Sequence, residues 1–112
     1  VLTIIANEAL HKIPEHYFHG DVYVASRGNL DFSSKEKVLT SLKSTLSKIK
    51  DKLNQKTWEK VYLIPTGHPI LALQIKSLVY HMLRLDTVDL FYSAGQYYEV
   101  EIQRSDFVQN NA

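Results

Sequence analysis

The sequence predicts an α/β fold with a mostly parallel sheet, and three observations carry that prediction. Two short runs, Val22-Tyr23-Val24-Ala25 and Val61-Tyr62-Leu63-Ile64, are apolar at every position, the pattern of strands buried on both faces. Each run is followed by a segment of helical length with an apolar stripe. The final run, Tyr97 to Gln103, alternates instead, placing Tyr98, Val100 and Ile102 opposite Glu99, Glu101 and Gln103. Such a strand is expected at an antiparallel edge with one wet face.

Taken in order, the run from Asp21 ends at Ser26-Arg27-Gly28-Asn29. Ser33-Ser34-Lys35-Glu36 then has the form of a capping box, with Ser33 as N-cap and Glu36 reaching back. In the helix that follows, Val38, Leu39, Leu42, Leu46, Ile49 and Leu53 recur at three- and four-residue steps, and lysines fill most of the remaining face. The second apolar run breaks at Pro65-Thr66-Gly67-His68-Pro69, with Pro69 suited to the first turn of a new helix. That helix, about Pro69 to Leu85, is apolar around much of its circumference and is expected to lie deeper than the first, or at a subunit contact. Val88-Asp89-Leu90-Phe91-Tyr92 reads as a third strand, turned back through Ser93-Ala94-Gly95-Gln96. The result is β-α-β-α-β-β, a small Rossmann-like domain of two or three layers with an antiparallel C-terminal hairpin. Residues 21–104 form the ligand-sensing domain in this reading, 1–20 a lead-in segment and 105–112 a polar tail. Leu2 to Ile5 fits either a strand or the end of an entering helix, closed by His11-Lys12-Ile13-Pro14.

Composition narrows the function classes. A chain of 112 residues supports one core. A formal net charge of +1 excludes a strongly polyanionic or polycationic chain and decides nothing about partners. There are no cysteines, so disulfides, thiolate catalysis and cysteine-based zinc sites are all out of reach. No apolar run approaches the roughly 18–20 residues of a membrane span. Val1 to Leu10 lacks the basic start of a signal peptide. Because the chain opens on Val1 and not on methionine, an upstream segment is expected, and it is there that a membrane anchor would lie.

In an open parallel sheet the strand-to-helix loops gather at the carboxyl edge, where ligands bind. Three polar segments are expected there: Ser26, Arg27, Gly28 and Asn29; Thr66, Gly67 and His68; and the turn from Ser93 to Gln96, flanked by Tyr92 and Tyr97. Glycine permits close backbone approach, a helix N-terminus favours an anion, and Arg27 carries a charged fork suited to phosphate. The competing readings are a tight turn with a helix start, a solvated loop arginine, and tyrosines that pack a sheet. No catalytic residue is assigned. Complete P-loop, dinucleotide-fingerprint and HExxH motifs are missing, and the serines have no identifiable base. His16 and His19 lack a ligand set to complete a metal site, so neither metal nor cofactor is expected.

The stretch Val61-Tyr-Leu-Ile-Pro-Thr-Gly-His-Pro-Ile-Leu-Ala-Leu-Gln-Ile-Lys-Ser-Leu, followed by Val88-Asp-Leu-Phe-Tyr and Tyr97-Tyr98, resembles the CARF and SAVED sensor domains of bacterial antiviral systems. The resemblance covers about Asp21 to Gln103, and its second half is the more specific. His68 departs from it by separating Gly67 from Pro69, which are adjacent in the SAVED pattern. The chain also has half the size of a SAVED domain. The resemblance implies a cyclic oligoadenylate ligand, most of all the tetramer. It also implies a homo-oligomer, dimer or tetramer, whose subunits surround that ligand, and no long nucleic acid partner. A match to the cytoplasmic part of a small membrane-anchored type III CRISPR effector follows by analogy, as does a non-enzymatic role. A ring nuclease or phosphoesterase at the same loops, with His68 helping, and a protein-interaction module without a nucleotide are the alternatives.

Overall fold

The computed structural model describes residues 1–8 and 12–108. In chain order the elements are β1 (Leu2–Ile5), a 3-10 turn at Glu15–Tyr17, β2 (Asp21–Val24), α1 (Lys35–Leu53), β3 (Val61–Ile64), α2 (Pro69–Leu83), β4 (Val88–Ser93), β5 (Gln96–Glu101) and a second 3-10 turn at Arg104–Asp106. The five strands form one sheet in the order β2-β1-β3-β4-β5. β1 is parallel to both β2 and β3, and β3 is parallel to β4. β5 is antiparallel to β4. This is the small Rossmann-like α/β arrangement predicted from the apolar runs, with the hairpin at its expected edge.

Leu2–Ile5, which the sequence left open between strand and helix end, is a strand inside the sheet, buried at all four positions. It thus belongs to the same sheet as residues 21–101. Leu2 and Ile4 join Val61 and Leu63 beneath the helices, where Leu42, Ile49 and Leu53 of α1 and Leu71, Ile75 and Val79 of α2 close the main core. The other face of β1 carries Thr3 and Ile5. Thr3 is fully buried, and its hydroxyl donates to the His19 carbonyl at 2.7 Å and accepts from the His19 amide at 2.8 Å. A buried hydroxyl satisfied in both directions pins the chain ahead of β2 across this face. Ile13, Tyr17 and Phe18 of the same segment cover Ile5, Ile64 and Leu90. The domain therefore has two full layers, with residues 12–20 as a strap in place of a third. The histidine at position 11 and the last four residues of the expected tail lie outside the described residues.

Three local expectations need correction. The N-cap of α1 is Ser34, whose hydroxyl accepts from the Lys37 amide at 3.2 Å. Ser33 instead donates both its hydroxyl (2.7 Å) and its amide (3.1 Å) to the Asp31 carboxylate, so Glu36 falls at the second helical position and no capping box forms. Leu39 is 45% exposed, and Thr45 is the residue that completes the buried stripe of α1. The second helix is the more covered of the two, as expected, with Leu71, Ile75 and Val79 fully buried, although Ile70 and Leu73 point outward. Last, the apolar face of β5 is not a dry one. Tyr98, Val100 and Ile102 are exposed because the two helices do not reach the last strand.

Core position, not hydrophobicity, decides what each α2 residue contributes. Ile75→Ala is expected to lower the unfolding free energy by about 2–5 kcal/mol. Gln74→Ala, one residue earlier on the exposed side, should stay within about 0.5 kcal/mol. Urea denaturation of the two variants checks the pair. The hydrogen bonds from Ser33, aided by Lys37, hold the Asp31 carboxyl below its ordinary value. The stabilisation linked to it is therefore present above the unfolded-state pKa and lost as pH falls through the folded one. A carbon-detected NMR titration should show Asp31 titrating low, and Ser33→Ala should move it upward.

Candidate ligand site

The chain leaves β1 toward β2 on one side and returns to β3 on the other. The carboxyl ends of β1 and β3 therefore form the switch point at which such sheets bind ligands. Here that crevice is filled by Asn7. Its amide N–H donates to Thr66 Oγ1 at 3.1 Å, the Thr66 hydroxyl donates to the Asn7 carbonyl, and Asn7 Nδ2 donates to the Gly28 carbonyl at 2.9 Å. Gly67 has φ +85° and lies so close that a Cβ there would meet Asn7 Cβ at 2.8 Å. Asn7 Oδ1 is buried without a partner among the described residues. Asn7 therefore laces the first two loops together, and the sequence reading did not single it out. The signal was its place two residues past the β1 run, which became readable only once Leu2–Ile5 counted as a strand.

The first loop is largely occupied with this lacing. Ser26 Oγ donates to the Ala6 carbonyl at 2.6 Å, the Glu8 amide donates to the Ser26 carbonyl at 2.9 Å, and Arg27 is ion-paired with Glu8. Gly28 supplies a carbonyl to Asn7, and Asn29 is exposed. In the second loop, His68 is the N-cap of α2 but forms no side-chain cap bond. Its ring instead packs against Phe32, with centroids 4.7 Å apart. At the hairpin, Ser93 closes β4 and pairs with Gln96, and Gln96 Oε1 accepts from the Tyr98 hydroxyl at 2.8 Å. The loops after β2 and β4 are three strand positions apart, roughly 14 Å at about 4.8 Å per strand. Arg27 and the tyrosines consequently belong to different places, separated by β1 and β3.

Thr66, Tyr92 and Tyr97 do come together. They line a cleft of about 610 Å³ at the carboxyl ends of β3 and β4, on the sheet face that the strap crosses. Ile64 and Leu90 form its apolar floor, while Lys12 and Ile13 of the strap form the opposite wall. The register explains the tyrosines. Tyr92 and Tyr97 are direct cross-strand partners, so both side chains emerge on the strap face, and their rings meet edge-on at 4.9 Å. Tyr97 also contacts Tyr17 of the strap at 5.3 Å. Lys12 and Ile13 carry no sequence signal for this role, because nothing in the chain marks where the strap lies.

Neither a family model, nor a curated protein, nor a solved structure matches this chain. The chemistry must be read from the cleft itself. A concave site of this size with an apolar floor, two phenol rings, one hydroxyl and one ammonium group suits a ligand with a flat ring and a negative charge. Among the described residues, no histidine and no carboxylate lines it.

The lacing around Asn7 gives its own test. Gly67→Ala combines a positive φ with a steric overlap at Asn7, and it should destabilise the fold by more than about 1 kcal/mol. Alanine at Gly95, whose Cβ position is open, should suffer only from its φ of +80°. Thermal unfolding of both variants separates backbone strain from overlap.

Proposed function

We propose that this chain is a sensor domain that binds a cyclic oligoadenylate, the tetramer foremost, in the cleft beside Tyr92 and Tyr97. The carrying observation is the meeting of Tyr92, Tyr97 and Lys12 around one apolar floor. An adenine stacks on a phenol face, and Lys12 meets the phosphate that follows. The resemblance of residues 61–78, 88–92 and 97–98 to CARF and SAVED domains supports the choice of ligand class. A pocket of this volume holds a drug-sized molecule, so one cleft takes part of an oligonucleotide ring. Arg27, paired with Glu8 away from the cleft, is no longer the leading phosphate contact.

The role is binding and not cleavage, because the cleft's described lining offers no nucleophile paired with a base. His68, the only histidine of the three polar segments, is turned onto Phe32. Among the described residues no helix is long and apolar enough to cross a membrane. The proposal places the domain in the cytoplasm, with an attached upstream region as its output.

Thermal unfolding with cyclic di-, tri-, tetra- and hexa-adenylate tests the reading. At a hundredfold excess over its dissociation constant, the right ring should stabilise the domain by about 2.7 kcal/mol, a Tm rise of roughly 10–20 °C for a chain of this length. Tyr97→Ala should cost about 1–3 kcal/mol of binding, and Lys12→Ala should weaken it most at low salt, the loss shrinking as salt rises. Arg27→Ala should leave it nearly unchanged. No shift with any ring size sinks the proposal, and loss of binding on Arg27→Ala with none on Tyr97→Ala relocates the site. Chromatography of the recovered ligand should return it intact.

A further inference from the structure

Charge is unevenly divided along this chain. α1 and α2 together hold seven lysines against two carboxylates, Glu36 and Asp51, a balance of +5. The rest of the chain, with six Lys or Arg and ten Asp or Glu, carries −4. The overall +1 thus conceals a basic helix layer on an acidic remainder. Among the described residues Lys37 pairs with Asp31 and Lys76 with Asp89, whereas Lys35, Lys43 and Lys50 enter no ion pair.

The same layer carries an open groove of about 500 Å³, lined by residues of α1 and α2 alone. Leu42 at its floor is buried, Val38 and Leu46 are half-buried, and Leu39 and Ile70 stand exposed at its two shoulders. Lys35 and Lys43 line it as well, and Lys50 follows Lys43 at the seven-residue spacing that returns to one helix face. Leu39 and Leu46 share that spacing, the repeat met by a helix lying alongside. Among the described residues no carboxylate lines the groove.

We propose that this groove receives an acidic amphipathic helix of a partner protein, its apolar stripe on the leucines and its carboxylates against Lys35, Lys43 and Lys50. Shape and charge together select the occupant. A concave apolar floor between exposed lysines accepts inserted side chains, as grooves that bind amphipathic helices do. A lipid surface is flat and takes apolar groups that stand out beyond the charges. A nucleic-acid backbone uses the lysines but leaves the apolar floor without a partner. A second copy of this chain brings no acidic helix, because α1 has a balance of +4 and α2 has no carboxylate. The inference does not depend on the ligand cleft, which lies on the opposite face of the sheet.

Fluorescence anisotropy of the full chain with a labelled helical peptide reads the outcome. The peptide has about three heptads, with Leu and Ile on one stripe and Glu on either side of it. The expected dissociation constant is on the order of 10 µM at low salt, weakening as salt rises. Its twin with Lys in place of every Glu should not bind. Lys35→Glu combined with Lys43→Glu should weaken the Glu peptide about tenfold or more and let the Lys peptide bind instead, an exchange that loss of fold does not produce. Should that double variant fail to fold, Lys43→Gln alone is expected to weaken the Glu peptide about threefold. Leu39→Ser should weaken it about fivefold while circular dichroism stays native. Amide NMR shifts on binding should gather in residues 35–50 and 70–74. No binding of the Glu peptide, equal binding of both peptides, indifference to the lysine variants, or shifts centred on the ligand cleft would each overturn the proposal. Sedimentation with phosphatidylserine vesicles should leave the chain in solution; capture by the vesicles without binding of the peptide gives the face to a lipid surface and overturns it too.

Discussion

The insertion of β1 between β2 and β3 sets almost everything at the carboxyl edge. β1 is only four residues long, but all four are buried and it is hydrogen-bonded on both sides. Its exit therefore has to pass between the two loops that sequence alone would bring together. Asn7 fills that passage with three hydrogen bonds to Thr66 and Gly28, and Gly67 yields the space a side chain would take. The switch point of the sheet is thus a structural knot, and the open cleft is displaced sideways to β3, β4 and β5.

The displacement has a cause on the opposite face. A crossover from β1 to β2 in a larger α/β domain would carry a helix, whereas the described part of this connection, residues 12–20, holds a single 3-10 turn. Such a strap covers Ile5, Ile64 and Leu90 but is too thin to fill the space above the hairpin. Two anchors hold it: the reciprocal bonds of Thr3 with His19, and the His19 ring, which stacks on Tyr62 at 4.1 Å and reaches Glu99 at 3.0 Å. The cleft is the volume left between this strap and the tyrosines of β4 and β5.

Legibility in the sequence followed the range of each interaction. Both long helices, the apolar strands and the hairpin were readable because their signals are local: periodicity, a proline at the start of α2, a turn with glycine. Tyr92, Tyr97 and Thr66 were singled out because they sit at or just past strand ends, and they line one cleft. Asn7 was missed because its role depends on which strands flank β1, a non-local fact that no four-residue apolar run encodes. Arg27 looked like an anion clamp because Glu8 stands nineteen residues away and becomes its neighbour only through the β1–β2 pairing. The capping of α1 was misplaced by one residue because Ser33 and Ser34 are equivalent on paper, and only the Asp31 turn selects between them. The exposed face of β5 escaped notice for a simpler reason: alternation reveals which face is apolar, not whether anything covers it.

The hairpin joins the cleft to the face of β4 and β5 that the helices leave bare. In a strand, successive side chains point to opposite faces, so Tyr92 and Tyr97 on the strap face are covalent neighbours of Phe91 and Tyr98 on that bare face. A ligand that alters the twist of β4 and β5 on one face must alter the shape of the other. The chain needs no mobile domain for this, because the element that lines the cleft is also the element that forms the bare face. Its hinge is defined by what restrains the hairpin from below: the Lys76–Asp89 pair tying β4 to α2 and the Glu99–His19 pair tying β5 to the strap. Both restraints lie below the tyrosines. The turn at Ser93 to Gln96 lies beyond both of them.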